Sequence, residues 1–292
     1  MNIDMSSLPA PPVVEPLDYE TILATIKADV IAADPALAEV LSLESEPIVK
    51  VCEVVAYREL MLRARINNAA KSVMLAYAQD GDLDQLANNL GVNRLPGEKD
   101  DRLRQRTQLS LEGYSTAGPT LSYVFHALSA SPEVLDAHVD SPTPGRVRIV
   151  VLAQPSDEHP YGVPSQPLLD SVFQAVSADD VRPLCDDVNT QAAQVIMYVV
   201  EAALVCAPGP SATTTVAAAD RALDDYVEQQ FRLGQSITLS GLLRALRQPG
   251  VKRVDLASPA PAAAIDDVLI PVAAHQAARC VARSVTLGGI ET

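Results

Sequence analysis

From Ile48 to Gln79 the chain reads IVKVCEVVAYRELMLRARINNAAKSVMLAYAQ, without a glycine or a proline. Residues that break helices are absent from this whole stretch, so it is predicted to be one helix. About 32 residues at ~1.5 Å each give a rod of roughly 48 Å, longer than an ordinary globular helix. Apolar residues recur at Ile48, Val51, Cys52, Val55, Leu62, Ile66, Ala69, Val73 and Tyr77, in the steps of three and four that mark a helix face. Pro47 suits the first turn, and Ser45 or Glu46 suits the cap. A helix this long with mixed-charge faces suits a bundle completed by other chains.

The flanking segments have a different character. LPAPPVVEP at 8–16 carries four prolines, which fix φ and remove donors, so an extended arm is expected. A short helix over 18–32 starts at Asp18 and stops before Asp34-Pro35. In 80–93, Leu83, Leu86, Ala87 and Leu90 form a helical stripe that Asp82 caps and Gly91 ends. A further helix covers about 99–112. After Gly113 the pattern becomes α/β: helix 119–130, strands 134–140 and 146–152, helix 166–177, strands near 184–191 and over 194–206. Helices 211–232 and 239–247, a strand 251–257 and strand-like pieces complete the chain.

LSYVFHALSASPEVLDAHVDSPTP (121–144) echoes LSGLLRALRQPGVKRVDLASPAP (239–261), which suggests two related modules in series. The expected class is therefore α+β, elongated overall, with a helical N-terminal region holding one long helix and two small α/β modules after it. The boundaries drawn are an acidic, proline-rich arm with short helices over 1–46, a helical core over 47–112, and modules over 113–191 and 192–292.

Charge excludes several functions. The net charge of −15 opposes nucleic-acid binding, which needs a basic footprint, and an anionic membrane surface. Residues 1–46 hold nine acids and one base, whereas 47–110 hold ten bases and eight acids. Such an arm points to basic partner surfaces, or simply to a solvated face. Cys52, Cys185, Cys206 and Cys280 are far apart in sequence, as expected for free thiols in a reducing compartment. The N-terminus has no basic start and no apolar run of the signal-peptide kind. With three Phe, eight Tyr and no Trp, Ala, Val and Leu must do most of the packing.

The candidates for chemistry each have a structural counterpart. Glu44, Glu46, Glu53 and Glu59 could supply the carboxylates of a glycan hydrolase, but such a pair must face one cleft, and nothing in the pattern supplies the opposing group. Glu59 and Arg63 are spaced as a helix ion pair, while Glu44 and Glu46 lie at the positive end of the helix dipole. Asp80, Asp82 and Asp84 begin like a calcium loop, but Gln85 and Gly91 stand where Gly and Glu are required. GYSTAG (113–118) lacks nucleophile-elbow spacing and reads as a glycine hinge at Gly113 and Gly118. The four histidines show no ligand pairing. Neither a metal nor a cofactor is expected. Glu53, Arg58, Glu59, Arg63, Arg102 and Arg106 are the candidate interface residues.

AQDGDLDQLANNLGVNR (78–94) and DRLRQRTQLSLEGYSTAGPTLSY (101–123) resemble two consecutive blocks of the baseplate J-like family. The likeness is carried by Ala78, Gly81, Leu83-Asp84, Gly91-Val92 and Arg94, then by Asp101, Leu103-Arg104, Arg106, Gly113, Ser115, Gly118 and Tyr123. The proline-rich arm, the long-helix segment, PGRVRIVVL and APGP continue it, in the form found in temperate contractile-tailed phages and R-type pyocins. Pro119 and the short 95–100 connection depart from the pattern. The resemblance implies a structural wedge component of a tail baseplate, not an enzyme. It would be assembled in the bacterial cytoplasm and carried in the phage or contractile bacteriocin particle. Its partners would be a second copy, a partner baseplate wedge protein, and the hub and sheath-initiating proteins, in a six-fold ring that transmits the trigger for contraction. The rivals are a tail-associated cell-wall glycan hydrolase using carboxylates of 44–59, and an adhesin, which the aromatic-poor C-terminus disfavours.

Overall fold

The computed structural model describes residues 5, 8, 9, 11–115, 118–208 and 212–291. Parts of the proline-rich arm, Thr116 and Ala117 of GYSTAG, and Gly209-Pro210 of APGP lie outside the described residues. The fold is α+β, a helical N-terminal region followed by small sheet modules. It divides into two compact units. One runs to Arg94 and includes Glu98–Gln108; the other comprises Leu95–Gly97 and the chain from Leu109 onward.

The first unit is helical. Its elements are α1 (Tyr19–Ala33), α2 (Ala38–Leu41), α3 (Pro47–Ser72), α4 (Asp80–Asn89) and the first part of α5 (Asp100–Gly113). Asp18 caps α1 as the sequence predicts, its carboxylate accepting from the Thr21 amide at 2.9 Å. Leu23, Ile26, Val30 and Ile31 of α1 pack with Leu41 against Val49 and Cys52 of α3. The arm is bound to its own chain: the buried Asn67 accepts from the Glu15 amide (3.1 Å) and donates to the Glu15 carbonyl (2.8 Å). Tyr77 donates to the Leu8 carbonyl at 3.0 Å.

The long helix ends at Ser72, so the expected extension to Gln79 is corrected. Its 26 residues span about 39 Å. Arg104 donates to the carbonyls of Leu75 (2.7 Å) and Ala78 (2.6 Å); in the expected helix the Leu75 carbonyl would have accepted from the Gln79 amide. The turns at 73–77 then bury Ala78. The cap of α4 is corrected too: Gln79, not Asp82, holds the N-cap position, and the Asp80 amide donates to Asp100 at 2.9 Å. Gly91 ends α4 at φ 73°, with the Val92 amide bonded back to the Ala87 carbonyl at 2.9 Å, the left-handed stop that glycine favours.

The second unit holds two three-stranded sheets. In the first, β1 (Val134–Thr143) lies antiparallel to β2 (Arg146–Ala153), and β3 (Asp187–Ala192) lies parallel to β2 on its other side. Helices α6 (Thr120–Ala130) and α7 (Gln166–Val176) join Val134, Ala137, Ile149 and Val151 in one core. In the second, β4 (Gln194–Cys206) is central, α8 (Ala212–Gln230) follows it, and a short β5 (Ile237–Thr238) precedes α9 (Leu239–Leu246). Next, β6 (Val251–Ser258) lies antiparallel to β4; β7 (Val268–Ile270) pairs with β5, and β8 (Gln276–Ile290) runs parallel to β4. The sequence echo has a structural counterpart: α6–β1 and α9–β6 are both a helix leading to an antiparallel edge strand.

A third core joins the two sheets, with Leu135, Val150 and Leu152 of the first packing on Ala193, Phe231 and Ala277. Beside it, the Asp136 carboxylate accepts from the amides of Ala137 (2.9 Å) and Leu233 (3.0 Å). Burial pushes the Asp136 carboxyl upward, against the pull of the Leu233 amide and of Arg232. The folded chain therefore binds this proton more tightly than the unfolded chain. The contribution of Asp136 to stability rises as pH falls through the raised folded value and is lost as pH climbs past it. Asp136→Asn removes the titration, so wild type should gain stability relative to this variant between about pH 7 and about pH 4; urea unfolding across that range reads the difference. Asp136→Ala, which strands the Leu233 amide, should cost about 1–3 kcal/mol at neutral pH.

Candidate functional site: the uncovered face of the long helix

Helix α3 has two apolar faces, and the chain covers one. Val49, Cys52 and Ala56 are buried, with Asn67 further along under the arm. The stripe that periodicity marks as the core face is mostly outside: Val51, Val55, Leu62, Ile66 and Val73 are exposed, Leu62 at 65% and Ile66 at 62%. Val54, Tyr57 and Met61 widen this surface. Exposed apolar side chains gathered along one helix face are a common feature of interaction surfaces. A groove of about 880 Å³ runs along it, lined by Tyr57, Arg58, Met61, Leu62, Arg65 and Asp82 among others.

The charged residues predicted for an interface fall into three settings. Glu53 accepts from Lys50 at 3.0 Å, one turn earlier. Arg63 donates to Glu59 at 2.6 and 2.9 Å and to Glu15 at 3.2 Å, and these carboxylates hold its guanidinium pKa above the usual value. Arg58 is exposed in the groove. Arg102 and Arg106 lie inside: Arg106 is 4% exposed and donates to Glu98 at 2.7 Å, and Arg102 approaches the same carboxylate at 3.8 Å. Sequence spacing spread these arginines over a helix surface; the buried Glu98 draws two of them inward.

The carboxylates weighed for acid/base work are used locally. Glu44 is exposed ahead of α3, Glu46 is its N-cap residue, and Glu53 and Glu59 are bound to cations on their own helix. The calcium-like acids serve an arginine: Arg94 donates to Asp84 (2.6 Å), Asp100 (2.7 Å) and the Asp80 carbonyl (3.3 Å). Desolvation opposes the charge of Arg94, and its bonds to Asp84 and Asp100 more than restore it.

The sequence gives no sign of another cluster, Glu133, Glu158 and His159, whose ligand atoms lie within 4.8 Å of one another. His159 is buried, and its Nδ1 accepts from the Ser165 amide at 3.2 Å. That assigns the proton to Nε2, which donates to Glu133 at 3.1 Å. A histidine metal ligand needs its other nitrogen as a donor, and here that nitrogen faces a donor. The cluster is a hydrogen-bonded clasp across the loop before α7.

The candidate hinge glycines are places of close approach. A Cβ on Gly113 would fall 2.3 Å from the Phe125 ring, and the Gly113 carbonyl faces Nε2 of His126 at 3.2 Å. Burial lowers the pKa of this histidine, favouring the neutral ring that donates here. Gly118 has φ 69°, and a Cβ there would lie 2.6 Å from Pro183. Tyr123 donates to the adjacent Asp186 at 2.7 Å, and burial, reinforced by that carboxylate, raises its phenol pKa.

Residues 44–101 match the Baseplate J-like N-terminal domain and residues 115–192 the Baseplate J-like central domain. The chain is 41% identical over 307 aligned positions to "Baseplate protein J" of Escherichia phage P2, covering 98% of each. A chain in the baseplate of the anti-feeding prophage aligns with TM-score 0.42 and 16% identity, over 66% of this chain and 43% of that one. Each matched segment contains a buried contact open to test. Glu98→Ala, in the first, leaves the Arg106 guanidinium buried without its carboxylate and should cost about 3–5 kcal/mol, read as a lowered melting temperature. Gly118→Ala, in the second, combines left-handed φ with the Pro183 clash and should cost about 1–3 kcal/mol, read by urea unfolding.

Proposed function

The chain belongs to the baseplate J-like family, and on that premise we propose that it is a structural component of the baseplate of a contractile tail or contractile bacteriocin. The observation that carries this reading is the uncovered apolar face of α3. Burying a leucine- or isoleucine-sized side chain is worth about 1.5–3 kcal/mol, and the row Val51, Val55, Leu62 and Ile66 is exposed in the isolated chain. A second chain laid along the face would recover that energy and complete a bundle. Within the baseplate we assign the chain a wedge role, pairing with a second copy and a partner wedge protein to close a six-fold ring around the hub. Arg58 stands on the docking face, and Glu53, Glu59 and Arg63 flank it as ion pairs already formed.

The role is structural and not catalytic, in keeping with carboxylates tied to cations on their own helix. Among the described residues no helix is long and apolar enough to cross a membrane, and assembly is assigned to the bacterial cytoplasm. Transmission of the contraction trigger would use Gly113 and Gly118 as fixed corners about which neighbouring elements turn.

Leu62→Glu and Ile66→Glu change exposed positions, so each should leave the melting temperature nearly unchanged. In a tail-producing strain lacking the native gene, each should lower the yield of complete particles by about tenfold or more, because a charged side chain would replace an apolar one on the face that assembly buries. Particle counts by electron microscopy read the outcome, and wild-type yields from both variants would remove α3 from the assembly interface. Purified wild-type chain should leave cell-wall glycan intact in a zymogram.

A further inference from the structure

A second cleft lies in the second unit, between the C-terminal end of α8 and helix α9, with a volume of about 450 Å³. Tyr226 and Gln230 of α8, Gln235 and Ser236 of the turn that follows, Thr238, and Arg244 of α9 line it. The volume falls in the range of small-molecule sites. The lining is polar, so the ligand it suits follows from which hydrogen-bonding groups are still unspent.

Tyr226 is only 7% exposed, yet among the described residues its hydroxyl has no hydrogen-bond partner. A buried tyrosine hydroxyl ordinarily has one. Gly241 makes room for it. A glycine within a helix normally weakens the helix, but a Cβ here would lie 2.2 Å from Tyr226 Oη and 2.7 Å from Thr238 Oγ1. The absent side chain is what admits the phenol to the cleft.

The other hydroxyls have spent their acceptors and kept their hydrogens. Ser236 Oγ accepts from the Val272 amide at 3.0 Å, and Thr238 Oγ1 accepts from the Gly241 amide at 3.2 Å. Among the described residues neither hydroxyl donates to an acceptor. The carboxamides of Gln230 and Gln235 are likewise unbonded, and Arg244 is exposed and forms no ion pair. Asp267, beside the start of α9, is bound to the amide and hydroxyl of Ser240 and does not line the cleft. The cleft therefore offers three hydroxyl hydrogens, two carboxamides and a guanidinium, with no carboxylate in its lining. A ligand that meets this inventory is rich in acceptors and negatively charged. We propose that the cleft binds a small molecule carrying a carboxylate or phosphate group, with Tyr226 and Arg244 donating to that oxyanion. The site is separate from α3 and independent of the assembly reading given above.

The test follows the Gly241 amide and the Arg244 side chain by nitrogen–proton NMR in the full chain. The chain is titrated with inorganic phosphate, malonate or malonamide at neutral pH and constant ionic strength. Phosphate or malonate should shift both signals saturably, with a midpoint of about 1 mM or below. Whichever of the two binds more tightly names the group that the site takes. Malonamide has nearly the same shape without the charge and should bind about tenfold or more weakly. Tyr226→Phe removes only the unpartnered hydroxyl, so it should leave the melting temperature nearly unchanged and weaken anion binding about fivefold or more. Arg244→Gln, at an exposed position, should weaken it about tenfold and carries the test by itself. The absence of saturable shifts with both anions would overturn the proposal. So would malonamide binding as well as malonate, or anion affinity left intact by Arg244→Gln. A Tyr226→Phe chain with a lowered melting temperature and undiminished anion affinity would make the hydroxyl a packing group and remove it from the site.

Discussion

The packing of α1 on Val49 and Cys52 of α3 decides which side of the long helix is used within the chain. Leu23, Ile26, Val30 and Ile31 of α1 cover that face. The buried amide of Asn67 secures the neighbouring strip by matching both polar groups of the Glu15 backbone. A buried amide left without partners would be costly, so this pair fixes the register of the arm. With that side closed, Val51, Val55, Leu62 and Ile66 lie outward, and the exposed apolar face is a consequence of the internal packing.

Electrostatics divides the helical unit in the same way. Glu98 holds Arg106 inside, Arg94 gathers Asp84 and Asp100, and Arg104 ends α3 by taking the carbonyls of Leu75 and Ala78. These arginines are structural. Of the exposed cations of α3, Arg58 and Arg65 line the groove. A net charge of −15 therefore coexists with exposed arginines along one face of α3.

The second unit uses one sheet layout twice. In each sheet a central strand has an antiparallel edge strand, preceded by a helix, on one side and a parallel strand on the other. The connections differ: α7 leads directly from β2 to β3, whereas β4 reaches β8 only after α8, α9 and β6. The apolar residues between the sheets and the Asp136–Leu233 bond make one body of the pair.

By itself the sequence determined where most elements lie. Asp18, Pro47 and Gly91 punctuate the chain by capping, φ restriction or left-handed backbone, and these are local effects that a reader of residues can follow. Strand β4 and helix α9 fall within a residue of their expected bounds for the same reason. Tertiary structure alone decided three things. It chose between two apolar faces of α3 that periodicity cannot rank, because the choice depends on what α1 brings to it. It stopped α3 seven residues early through Arg104, which lies far along the chain. It also turned Arg102 and Arg106 inward toward Glu98 and assembled Glu133, Glu158 and His159, since burial and counter-charge are set by residues distant in sequence.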